Sequence, residues 1–129
     1  MQKAPLKQCI DPPQNGEVAV PIAAEDVLLA YITCADAAEA RRIARALVAE
    51  RLAACVHLRP HEAVYVWEGR LEQSAEYGLI AKTTRQCFAA LAARVVALHS
   101  YELPGIVAIA AADGHAPFLA WIGDSTTPS

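Results

Sequence analysis

The sequence predicts an α+β domain in which two helices cover one face of an antiparallel sheet. Three observations carry that expectation. Strand-length apolar runs alternate with two amphipathic helical stretches, turn residues separate them closely enough for neighbours to pair, and the 129 residues fit one domain of roughly 100–200 residues. A chain of this length buries roughly two thirds of the surface its unfolded form exposes, so a single core needs no covalent staple.

Val27 to Cys34 is a nearly unbroken apolar run of strand length, and a strand apolar on both faces must be covered on both. Asp36 followed by Glu39 forms a capping-box pattern. Ala40, Ile43, Ala44, Leu47, Val48 and Leu52 then recur at helical spacing, with Arg41, Arg42 and Arg45 on the other side, so the helix is expected over about Ala37 to Ala53. Cys55 to Leu58 and Ala63 to Trp67 read as strand segments on either side of Pro60, which has no N–H for a ladder and predicts a bulge or bend. Glu68-Gly69 is a two-residue turn, with glycine where positive φ is needed, and Leu71 to Thr83 returns as the partner strand.

Thr83 with Gln86 makes a second capping box, and Phe88, Leu91, Ala92 and Val95 form the stripe of a second long helix ending near His99. After Pro104-Gly105, Ile106 to Ala111 reads as a strand. Pro117 opens a short helix that carries Phe118, Leu119 and Ile122 and ends near Gly123. The order βαββαβ plus a short C-terminal helix is the split βαβ, ferredoxin-like pattern of the α/β (α+β) class. Residues 1–26, with Pro5, Pro12, Pro13 and Pro21, are expected as a weakly ordered arm, 27–124 as the domain, and 125–129 as a frayed tail.

Apolar residues make up 55% of the chain and charged residues 19%, against averages of about 45–50% and about 25%. No apolar run approaches the ~20 residues that span a bilayer, so the surplus predicts a subunit interface and no membrane partner. The two helices leave one sheet face open, which points the same way. A formal charge of −3 argues against nucleic acid as a partner. Met1 to Gly16 carries no continuous apolar leader core, which makes cytoplasmic the expected location. With no G-x-S-x-G, no H-E-x-x-H and no phosphate-binding glycine loop, no catalytic residues are assigned and no enzyme is expected.

Cys9, Cys34, Cys55 and Cys87 form no C-x-x-C pair, and the last three sit in apolar or helical contexts suited to packing. Metal chemistry has three candidate locations. His57, His61 and Glu62 offer imidazole and carboxylate ligands for copper or zinc. The two histidines would lie roughly 13 Å apart along an unbent strand, so only a bend at Pro60 unites them; the other reading is a pair of exposed histidines flanking the proline. His99 and Glu102, with Tyr101 between them, follow the second helix, where a loop can aim polar groups into a cleft; alternatively His99 caps the helix and Glu102 is solvated. Cys34, at a strand end, suits Cu(I) if deprotonated and accessible. The scattered positions predict weak binding of copper or another divalent cation and no other cofactor. Trp67 and Trp121 read as interface and core anchors, and Lys82 as an anion partner or a snorkelling surface lysine.

Leu52-Ala53-Ala54-Cys55-Val56, Tyr65 with Trp67-Glu68-Gly69, Lys82-Thr83, His99 with Tyr101-Glu102, and Phe118-Leu119 with Trp121-Ile122 stand in the order and spacing of a known pattern. From about Val27 to Asp124 the chain resembles the CutA divalent-cation tolerance family. The resemblance implies a homotrimer joined by strand pairing between subunits, a role in tolerance to copper and other divalent cations, and no settled activity. The chain departs from the family's usual residues at Ala35, His57, His61, Gly78 and Ser100, which stand where proline, asparagine, glycine, a larger strand residue and proline are common. The alternative on this architecture is a small-ligand sensor or adaptor like the P-II signalling proteins, with an acylphosphatase-like enzyme further off.

Overall fold

Alternation along the first strand divides the molecule into two faces. In β1 (Val27–Cys34), Ala30, Ile32 and Cys34 are fully buried while Tyr31 is 40% exposed. The computed structural model describes residues 21–127. After β1 come α1 (Ala37–Ala49), β2 (Cys55–Trp67), β3 (Arg70–Thr84), α2 (Phe88–Leu98), β4 (Ile106–Ala110) and α3 (Ala116–Ser125). The sheet order is β2-β3-β1-β4 with every pair antiparallel, which is the expected ferredoxin-like topology. Ile43 and Leu47 of α1 and Leu91 and Val95 of α2 close over Ala30, Ile32, Cys34, Leu79 and Ala81 in the main core.

The opposite face, expected to be left open by the two long helices, is covered in part. Leu119 and Ile122 of α3 cover Val27 at one end of it, together with Ala54 and the half-buried Ile22, Phe118 and Trp121. Phe118 and Trp121 stack at 5.7 Å, in keeping with the core role expected for Trp121. Tyr31, Val107 and Ile109 on the rest of this face remain exposed.

The first helix starts as expected and ends earlier. Asp36 caps it by accepting from the Glu39 N–H at 2.9 Å. It stops at Ala49 instead of near Ala53, because Arg51 takes φ +61. The Arg51 N–H then donates to Val48 O (3.1 Å) and the Leu52 N–H to Leu47 O (2.9 Å), a Schellman closure with Leu52 packed in the core beside Leu47. The second capping box does not form: the Thr83 hydroxyl stays in β3 and donates to Leu52 O at 2.6 Å, and α2 begins only at Phe88.

The bulge expected at Pro60 is also absent. Pairing of β2 with β3 runs unbroken from Cys55↔Lys82 through Pro60↔Tyr77 to Trp67↔Arg70. β2 is an edge strand, where a proline's missing donor is tolerated. Glu68 (φ 52) and Gly69 (φ 79) close the hairpin with positive φ at both turn positions.

The first residues of the expected tail, 125–127, make contacts with the domain. Ser125 ends α3, the Thr126 hydroxyl donates to Ile122 O (3.0 Å) and the Thr127 N–H to Arg51 O (2.9 Å). Residues 128–129, and residues 1–20 of the expected N-terminal arm, lie outside the described residues. At the end of that arm Ile22 packs on the second cluster, and a 3-10 turn (Ala24–Asp26) leads into β1.

Candidate functional site

The C-terminal end of β1 meets the start of α1 and the loop after α2. The His99 ring, fully buried, joins them. Its Nδ1 accepts from the Tyr101 N–H at 3.0 Å, which places the imidazole proton on Nε2, and Nε2 donates to Thr33 O at 2.6 Å. Nδ1 lies 3.9 Å from Glu39 Oε2, too far for a hydrogen bond and already occupied. Glu39 Oε1 accepts from the Ala35 N–H (2.9 Å), one residue beyond the expected capping box, and Oε2 from the Ser100 N–H (2.7 Å). Burial alone would push the Glu39 carboxyl up; the donors from Ala35 and Ser100 outweigh it and hold the group below its ordinary value of 4.5.

Cys34, Glu39 and His99 present ligand atoms within 4.8 Å of one another. Two of them, Cys34 and His99, were expected from the sequence; Glu39 was read only as a cap. The trio does not fit a metal ion as it stands. Both carboxylate oxygens and both ring nitrogens hold hydrogen bonds, and burial, followed by the nearby carboxylates of Glu39, Asp36 and Glu76, pushes the Cys34 thiol up to about 12, so an entering metal would have to displace the thiol proton as well as break those bonds.

The structure does not bring His57, His61 and Glu62 together. With the register unbroken at Pro60, His57 and His61 share a face at separate rungs, and Glu62 lies exposed on the opposite face. Lys82 Nζ approaches His57 Nδ1 at 2.8 Å, and burial, then Lys82 and Arg59, pushes the His57 imidazolium down in favour of the neutral ring. Lys82 thus meets an imidazole, where an anion or solvent was expected. His61 Nε2 donates to Glu76 Oε1 at 3.1 Å, and Tyr101 Oη donates to Glu76 Oε2 at 2.8 Å. A Cβ on Gly78 would lie 3.1 Å from His61 Nδ1 and 3.3 Å from Tyr31 Cε1. The departures at His61 and Gly78 are therefore one local change, the glycine leaving the space the imidazole fills.

Glu102 is exposed and lines a cleft of about 710 Å³ between the hairpin arm and loop 99–105, with Tyr65, Trp67, Glu76 and Tyr101. Sequence reasoning missed Glu76; its one signal is a carboxylate two residues from Gly78 on the same face of a strand that is otherwise buried there.

Fold and site together define a class: a small ferredoxin-like domain whose convergent His, Cys and carboxylate groups are locked in hydrogen bonds, beside an aromatic and acidic cleft. The model of the CutA1 divalent ion tolerance protein family matches residues 28–125, and the chain belongs to that family. The divalent-cation tolerance protein CutA of Thermus thermophilus is 44% identical over 103 residues, covering 79% of this chain and 98% of that protein. The mouse protein CutA is 36% identical over 116 residues; the match covers 89% of this chain but only 64% of the mouse protein's length. The crystal structure of CutA1 from Oryza sativa superimposes with a TM-score of 0.78 at 35% identity, covering 86% of this chain and 98% of that one.

Proposed function

We propose that the chain serves divalent-cation tolerance as a homotrimer with no catalytic step, and that copper or another divalent cation binds it weakly through surface groups. The observation that carries the weak-binding reading is the closed hydrogen bonding of the trio Cys34, Glu39 and His99, which would have to break for a metal to enter. The other groups put forward, His57, His61, Glu62 and Glu102, stand apart, and a closed four-ligand site needs fixed convergence and a supporting shell. Self-association is supported by the exposed Tyr31, Val107 and Ile109 on the sheet and Val64 and Leu71 on the arm.

Isothermal titration with Zn²⁺ and Cu²⁺ tests the cation reading. The expected result is binding far weaker than nanomolar, reduced in a variant carrying His57→Ala and His61→Ala. Nanomolar binding at one site per subunit or per trimer would overturn it.

A further inference from the structure

The cleft between the hairpin arm and loop 99–105 combines three aromatic rings with two carboxylates. Tyr65 and Trp67 come from β2, Tyr101 and Glu102 from the loop, and Glu76 from β3; no lysine, arginine or histidine is among its lining residues. A space of about 710 Å³ lies within the roughly 300–1,000 Å³ typical of small-molecule sites.

Its loop wall and the Glu76 carboxylate are fixed before any ligand arrives. The loop is pinned at its start by His99 on Thr33 O and by the Ser100 N–H on Glu39, and at its end by the Thr33 N–H on Gly105 O at 3.2 Å. Gly105 permits that close approach, since a Cβ there would lie 2.9 Å from Thr33 Oγ1. Glu76 is held by Tyr101 and His61, and its burial is nearly complete. Those two donors occupy about half of the roughly four lone-pair positions of a carboxylate, so it retains capacity to accept from a ligand N–H. Burial, then the Glu76 carboxylate, keeps the Tyr101 phenol protonated far above neutral pH, so that hydrogen bond persists in the working range.

We propose that this cleft binds a small organic cation, an ammonium carried on an apolar or aromatic body. Aromatic faces attract cations, and the apolar lining accepts the body that a bare metal ion lacks. Glu76 and Glu102 supply the opposing charge, while a hard divalent ion would ask for six or more oxygen ligands in place of rings. The inference goes beyond the cation-tolerance reading and does not depend on it.

Isothermal titration of the full-length protein, in the oligomeric state it adopts in solution, tests the proposal with benzylammonium chloride as the probe and benzyl alcohol and benzoate as comparators. Saturable binding of benzylammonium is expected, at least about tenfold tighter than benzyl alcohol, with benzoate weaker still. Trp67→Ala and Glu102→Gln, both at exposed positions and so compatible with folding, should each weaken it about fivefold or more. Arg45→Gln, exposed on α1 and outside the cleft, should leave it unchanged. The proposal is overturned by no saturable binding at millimolar probe, as would follow if a second copy filled the cleft. Equal binding of benzyl alcohol, or wild-type affinity in both cleft variants, overturns it too.

Discussion

Glu39 does more than cap a helix. Its two oxygens tie the end of β1 to the loop after α2, through the N–H groups of Ala35 and Ser100. Because those donors lower its folded pKa, the stability they contribute is present above the ordinary carboxylate value of 4.5 and is lost as pH falls through the lowered folded value. Glu39→Gln, which leaves one N–H facing an amide nitrogen, should cost about 1–3 kcal/mol at neutral pH. The gap between wild type and variant should narrow as the medium is acidified below the ordinary value, read from urea melts across that range. A gap that stays constant into strong acid would refute this account. The carboxylate pairings at this scale were the least legible part of the sequence. Glu39 carries a local signal that explains it completely as a cap, and only the three-dimensional approach of Ser100 reveals its second oxygen's partner. Glu76 meets Tyr101 and His61 by the same kind of long-range approach.

At the scale of elements, periodicity located every strand and α-helix of the described residues in the right order, and the errors fell on boundaries and breaks. Pro60 looks like an interruption in sequence, but its cost depends on whether β2 is an edge strand, which is a property of the whole sheet. The end of α1 was hidden because an arginine occupies the left-handed position that usually announces itself as glycine. Arg51 compensates with Nε on Thr127 Oγ1 (3.0 Å) and Nη2 on Asp124 O (2.9 Å). Arg51→Ala loses those bonds and keeps the backbone cost, whereas Arg51→Gly loses the bonds and removes the cost. The glycine variant should therefore be more stable than the alanine variant by about 1 kcal/mol, measured by urea unfolding at matched protein concentration. Equal midpoints would mean that the left-handed turn is not a strained position.

For the molecule as a whole, surplus apolar composition and the expected open face point to assembly, while the role of α3 in covering one end of that face depends on packing that the composition does not reveal. Two substitutions test what covers the remainder. Val107→Lys combined with Ile109→Lys places charge on the uncovered face at positions 60% and 58% exposed in the single chain, where the folded subunit itself tolerates it. Light scattering should report a trimer at micromolar concentration for the wild type and a mass near one third of that for the double variant. A wild-type monomer would rule the assembly out.

The unbroken β2–β3 ladder limits how this chain can change in length. A two-residue turn joins strands whose side chains alternate between faces, so one inserted residue in either strand sends every side chain beyond it to the wrong side. His57, His61 and Tyr65 would then trade places with Val56, Glu62 and Val64. Where the ladder stays free of bulges, the arm grows or shrinks without that inversion by two residues in each strand, in steps of about 7 Å. Insertions and deletions here are quantised, and the outward reach of the arm takes discrete values.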